Sequence, residues 1–271
     1  MLEVFGGSAC YEFLIRRFHQ VLGVVIACGC AFALIGGATV ARDSDGASLS
    51  EIPFVGCPAD GQMGPLGMPQ GEPQRVAISA KIAHQLAYYE AKQGEGVFAP
   101  RGWHCRAWYG SSGSFLIVTP DEIPPPYFPP PEIQGPAVFV SSVDGTTSGR
   151  FRVAITAARL FPVSGKKFVD QVRAEHLVPD SSFDVRPFPS DRLQYLNDFE
   201  LRYVTPGGHE GLGTQGRLAK SDRPVRGWVR FDSDADIARL TEVQLRLPKH
   251  LAELADVIME IEREPVGRRL P

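Results

Sequence analysis

Ala99-Pro100-Arg101-Gly102-Trp103-His104-Cys105-Arg106-Ala107-Trp108-Tyr109-Gly110-Ser111-Ser112-Gly113-Ser114-Phe115-Leu116-Ile117-Val118-Thr119 is the stretch on which the reading of the fold turns. Pro100 fixes its own φ and holds Ala99 extended, while Gly102 admits a backbone angle closed to most residues just ahead of the bulky Trp103. A turn is therefore expected at 100–102. Residues 103–109 and 115–119 are rich in aromatic and apolar side chains and are separated by Gly110-Ser111-Ser112-Gly113. They read as a β-hairpin, with Cys105 in its first strand.

Working upstream, Ser79 caps an expected helix to about Gln93, with Ile82, Ala83, Leu86 and Tyr89 on one face and Gly94 or Gly96 as the stop. His84 lies off that stripe. Before the helix, Phe54-Val55-Gly56-Cys57-Pro58-Ala59-Asp60-Gly61-Gln62 and a Gly/Pro/Met-rich run to Pro73 show no periodicity and read as loop, with Asp60-Gly61 as a turn pair. Residues 42–51 are small and polar, a tether.

Downstream, eight prolines fall between Pro120 and Pro136. An extended, polyproline-like spacer and an internal boundary are expected there. Residues 137–144 and 151–161 alternate apolar with polar and read as a second hairpin joined by Gly145-Thr146-Thr147-Ser148-Gly149. A short helix over 164–176 turns Phe168 and Val172 inward, and Asp191 caps one turn before a strand at 199–205. Further strands are expected at 225–231 and 241–247, the latter with Val243, Leu245 and Leu247 against Glu242, Gln244 and Arg246. A closing amphipathic helix over 249–262 buries Leu251, Leu254, Ile258 and Ile261. Successive hairpins with few helices define an α+β fold around a mostly antiparallel sheet, with parts 52–119 and 137–264 packed as one unit.

Residues 18–41 contain no Asp, Glu, Lys or Arg and follow Arg16-Arg17. The apolar run from Val21 to Ile35 suits a secretory signal, and Thr39-Val40-Ala41 suits its cleavage. The alternative is an uncleaved membrane anchor over 18–41. Met1 to Leu14 fits neither and reads as sequence ahead of the true start. Export places the molecule in the periplasm or outside the cell. With Cys10, Cys28 and Cys30 in the leader, Cys57 and Cys105 are the two remaining thiols, and in an oxidising compartment they form a disulfide. The competing reading makes Cys105 a nucleophile beside His104, but neighbours on a strand point to opposite faces.

The chain has 271 residues, 28 basic and 31 acidic, for a formal charge of −3. With no basic block, it lacks the clustered cations that counterion release requires, and no nucleic-acid partner is expected. The loop Pro206-Gly207-Gly208-His209-Glu210-Gly211-Leu212-Gly213-Thr214 sets a His-Glu pair among glycines, but without a second His at helical spacing or a phosphate-loop pattern. It reads as a flexible, solvated loop. No complete catalytic set, metal-ligand spacing or cofactor fingerprint emerges, so no metal and no cofactor is expected.

The combination Phe54-Val55-Gly56-Cys57-Pro58, Asp60-Gly61-Gln62, Leu86-Ala87-Tyr88-Tyr89 and Ala99-Pro100-Arg101-Gly102-Trp103-His104-Cys105 resembles a set of uncharacterised exported bacterial proteins. The resemblance covers roughly 52–120 and brings no activity with it. Two functions follow as expectations. The first is a non-catalytic envelope protein that binds another protein or a small ligand, with Arg101, Trp103 and His104 as its surface. The second is a periplasmic hydrolase that gathers Asp60, His104, His209 and Glu210 into one site.

Overall fold

The computed structural model describes residues 48–124, 129–234 and 237–263. The leader expected over 1–41, with its cleavage or anchoring, lies outside these residues. In chain order the elements are β1 (Ser48–Ile52), β2 (Phe54–Cys57), β3 (Ala59–Gly61), β4 (Gln74–Ile78), α1 (Ala80–Ala83), β5 (Leu86–Ala91), β6 (Val97–Pro100), β7 (His104–Gly110) and β8 (Gly113–Thr119). They continue as β9 (Ala137–Asp144), α2 (Arg150–Leu160), α3 (Lys166–Arg173), β10 (Arg192–Asn197), β11 (Glu200–Thr205), β12 (Val225–Asp234), β13 (Ile237–Arg246) and α4 (Leu254–Arg263). This is an α+β fold whose sheets are largely antiparallel.

The main sheet has eight strands in the order β10-β11-β12-β13-β9-β8-β7-β3, with only β3 parallel to its neighbour. Alternation along its strands sends side chains to two different cores. On one face Leu116, Val118, Val138, Val140, Trp228 and Val243 meet Leu86 and Phe98 of a three-stranded sheet, β2-β5-β6, and Ile258 and Met259 of α4. On the other face Val143, Leu201, Val229, Phe231 and Leu240 meet Val153, Ala157 and Leu160 of α2 and Val169 and Val172 of α3. The main sheet is thus the middle of three layers.

The expected hairpin 103–119 is β7 and β8, and Gly102 holds φ +83° as the turn requires. Tyr89 secures that turn: its buried hydroxyl donates to the Pro100 carbonyl at 2.8 Å and accepts the Trp103 N–H at 3.1 Å. Burial pushes the Tyr89 pKa above its ordinary value.

Several expectations are corrected. The helix over 79–93 shrinks to the four residues of α1, and Leu86 to Tyr89 run through β5. That strand lies between β2 and β6 with consecutive side chains buried, so its apolar run matched a helical stripe by coincidence. The loop assigned to 54–62 contains β2 and β3, and the tether ends in β1, which pairs with the unforeseen β4 and buries Ile52. The strand assigned to 151–161 is the helix α2, because Val153, Ala154, Ala157 and Leu160 recur at helical spacing. Its lead-in is a turn rather than a hairpin loop: Asp144 Oδ1 accepts both the N–H and the hydroxyl of Thr146 at 2.7 Å. Strand β10 begins directly after Asp191.

The Pro-rich segment is not a spacer between two bodies, since β8 and β9 on either side of it pair with each other. Its described parts, 120–124 and 129–136, pack on the rest of the fold, burying Ile123 and bridging Ile133 to Leu218. Arg246, fully buried, anchors it by donating to the carbonyls of Ile133, Gln134 and Gly135 at 3.0, 3.1 and 3.3 Å, and to that of Ala219.

Cys57 and Cys105 are joined, with their Cα atoms 5.5 Å apart. The bond sits where the small sheet hands over to the large one: Cys57 ends β2, and Ala59, two residues on, pairs with Ala107 of β7.

Candidate functional site

Arg152, Ile155, Thr156 and Arg159 occupy positions i, i+3, i+4 and i+7 of α2 and so share one face. Opposite them the sheet presents Val229 of β12 and Leu240 and Glu242 of β13, while Leu212 and Gln215 line the cleft from the chain that follows β11. These residues enclose a cavity of about 370 Å³. Its lining mixes apolar side chains with three charged ones, of which Arg152 and Glu242 face each other. Seven residues of helix rise about 10 Å, so the two arginines are spread along the cleft.

Glu242 is the floor, 8 % exposed. Tyr203, on β11, reaches it across β12 because Gly227 lies between them; a Cβ there would meet the Tyr203 ring at 2.1 Å. The Tyr203 hydroxyl donates to Glu242 Oε1 at 2.8 Å, and Gln244 Nε2 donates to the same oxygen at 2.8 Å. Gln244 Nε2 also donates to the Leu212 carbonyl at 3.3 Å. Oε2 faces Arg152 at 3.8 Å. Burial first, and then the Glu242 charge, hold the Tyr203 pKa well above its ordinary value, so it remains an O–H donor. A carboxylate whose one oxygen accepts two hydrogen bonds while the other faces a cation is held in place.

Arg159 differs. Its guanidinium stacks over the Phe188 ring, 4.4 Å from the centroid, and makes neither an ion pair nor a hydrogen bond among the described residues. Burial lowers its pKa and the more distant Asp191 charge opposes that shift, but an arginine remains a cation. Asp191 is engaged elsewhere. Its Oδ1 accepts the Thr205 hydroxyl at 2.6 Å and its Oδ2 the Leu212 N–H at 2.8 Å, while Thr205 Oγ1 accepts the Gly213 N–H at 3.0 Å. These bonds fold a 3-10 turn, Leu212–Thr214, onto the sheet end with Gly211, Leu212 and Gly213 buried. The second half of the glycine loop, expected to be flexible and solvated, is therefore packed.

No family model, no curated protein and no solved structure matches the chain.

The residues singled out from sequence are not brought together. His104 is exposed at the start of β7, and His209 and Glu210 are exposed just beyond the end of β11. Four strands separate β7 from β11, so five spacings of about 4.8 Å put them about 24 Å apart along the sheet. Asp60 pairs with Trp108, four residues along from His104 and so about 13 Å away, and its Oδ1 accepts the Gly61 N–H. The proposed hydrolytic set does not assemble, and Cys105 is held in the disulfide. No group of three or more His, Cys, Asp or Glu capable of holding a metal occurs among the described residues. Arg101 donates to the carbonyls of Leu86 and Ala83, and Trp103 packs against the core below the small sheet. Of the expected binding surface, His104 is exposed while its backbone pairs with Thr119 of β8.

The cleft residues were missed for a definite reason. Arg152 and Arg159 share a face only once their segment is helical, and the polar set Glu242, Gln244 and Arg246 looks like a solvated face, whereas Gln244 and Arg246 are 0 % exposed.

Proposed function

We propose that this chain is an exported protein of the bacterial envelope, stapled by its disulfide, that binds a ligand without transforming it. The observation that carries this reading is the Cys57–Cys105 bond, because such bonds persist in oxidising compartments and are rare in the cytosol. The uncharged stretch 18–41 behind Arg16-Arg17 supports export, and the resemblance of the Cys57 and Cys105 segments to exported bacterial proteins agrees with it. No helix among the described residues is long and apolar enough to cross a membrane. The scatter of His104, His209, Glu210 and Asp60 favours binding over hydrolysis, and the cleft beneath α2 is a concave enclosure that combines apolar and polar side chains, as ligand sites do.

Expression of the full chain in a bacterial host, followed by fractionation, tests this. The protein should leave the cytoplasm, and the purified product should turn over no ester, peptide or glycoside above background. Cytoplasmic retention would overturn export, and turnover abolished by one point change would overturn the non-catalytic role.

A further inference from the structure

We infer that the cleft between α2 and the main sheet binds a small organic carboxylate that has an apolar body and carries a hydroxyl or ammonium group. The inference rests on the binding role proposed above and gives that role its ligand class. Four observations converge on it.

The first is the cation. Arg159 lines the cleft with its guanidinium supported on Phe188 and without a carboxylate partner within ion-pair distance among the described residues. A half-buried guanidinium of this kind pairs well with a carboxylate, whose two oxygens match its planar fork. The second is Glu242. Its Oε1 is satisfied by Tyr203 and Gln244, and among the described residues its Oε2 has only the long 3.8 Å approach of Arg152. Oε2 is left as an acceptor for a ligand O–H or N–H. The third is the apolar part of the lining, Ile155, Leu160, Leu212, Val229 and Leu240, which favours an occupant with an apolar body. The fourth is size. About 370 Å³ falls near the lower end of the roughly 300–1,000 Å³ typical of small-molecule sites. The anionic end of the ligand lies toward Arg159 and its donor toward Glu242, so the separation of the two poles fixes orientation.

Calorimetric titration of the oxidised full-length protein with 2-hydroxyisocaproate and with leucine tests the assignment. Each probe is compared with its methyl ester and with 4-methylpentanoate, which lacks the donor. Saturable binding of the acids is expected, with the esters and 4-methylpentanoate each weaker by about tenfold or more, equivalent to about 1.4 kcal/mol. Arg159→Met should abolish binding and Arg159→Lys should restore part of it, with circular dichroism confirming that both variants fold. The ligand-side comparison remains decisive even if Arg159→Met unfolds. Failure of every acid to bind, equal binding of esters, or unchanged binding by folded Arg159→Met would overturn the assignment, while the export test above would still stand. Consumption of a bound acid would support the site and refute the non-catalytic role.

Discussion

Gly227 decides whether the buried carboxylate of Glu242 has its partner. The Tyr203 ring occupies the space where any side chain at 227 would begin, 2.1 Å from its Cζ. Gly227→Ala should therefore lower stability by about 1–3 kcal/mol through overpacking, measured by urea denaturation. Tyr203→Phe removes the donor to Glu242 Oε1 and should cost about 1–3 kcal/mol at neutral pH. Its pH dependence provides a sharper test. The folded-state pKa of Tyr203 is raised, so its contribution is fully present below the unfolded value of about 10 and is lost as pH rises through the folded one. Tyr203→Phe should flatten part of the alkaline loss of stability. An alkaline slope identical to that of the unaltered protein would show that the hydroxyl is not buried against Glu242.

At the level of elements, the turn that launches α2 positions the cleft wall. Asp144 bonds the N–H and then the hydroxyl of Thr146, which together hold its carboxyl below the usual range. A depressed folded pKa gives stability that is present above the unfolded value of about 3.9 and is lost as pH falls through the folded one. Asp144→Ala should therefore narrow the difference in urea midpoint between pH 6 and pH 3; an unchanged difference would count against the turn. The sequence made β7, β8, α3, β11 to β13 and α4 legible because period and punctuation agreed in them. It misled where one pattern satisfied two periods. Phe151, Val153, Ile155 and Ala157 alternate like a strand, yet Val153, Ala154, Ala157 and Leu160 bury like a helix. Leu86 to Tyr89 match a helical stripe, but a strand covered on both faces needs no alternation. The cleft stayed hidden for the same reason, since its arginines meet only on a helix and its carboxylate sits on a face whose polarity implied solvent.

Across the whole molecule, the main sheet passes through the Pro-rich segment without a break, because β8 and β9 pair over residues 113–118 and 138–143. The two halves that composition suggested share one sheet and its cores, so a fragment beginning at residue 137 would expose the β9 edge and half of its apolar face. Such a fragment should not fold alone. The disulfide completes the unit by tying the end of β2 to β7, enclosing β3, β4, α1, β5 and β6 within a sequence separation of 48 residues. Closing a loop of that span removes roughly 4 kcal/mol of unfolded-state entropy, so Cys57→Ser or Cys105→Ser should lower stability by about 2–5 kcal/mol. Mass spectrometry of the exported protein, alkylated and digested without reductant, tests the staple most directly. A single peptide pair linking Cys57 to Cys105 is expected, and two alkylated, free thiols would contradict it.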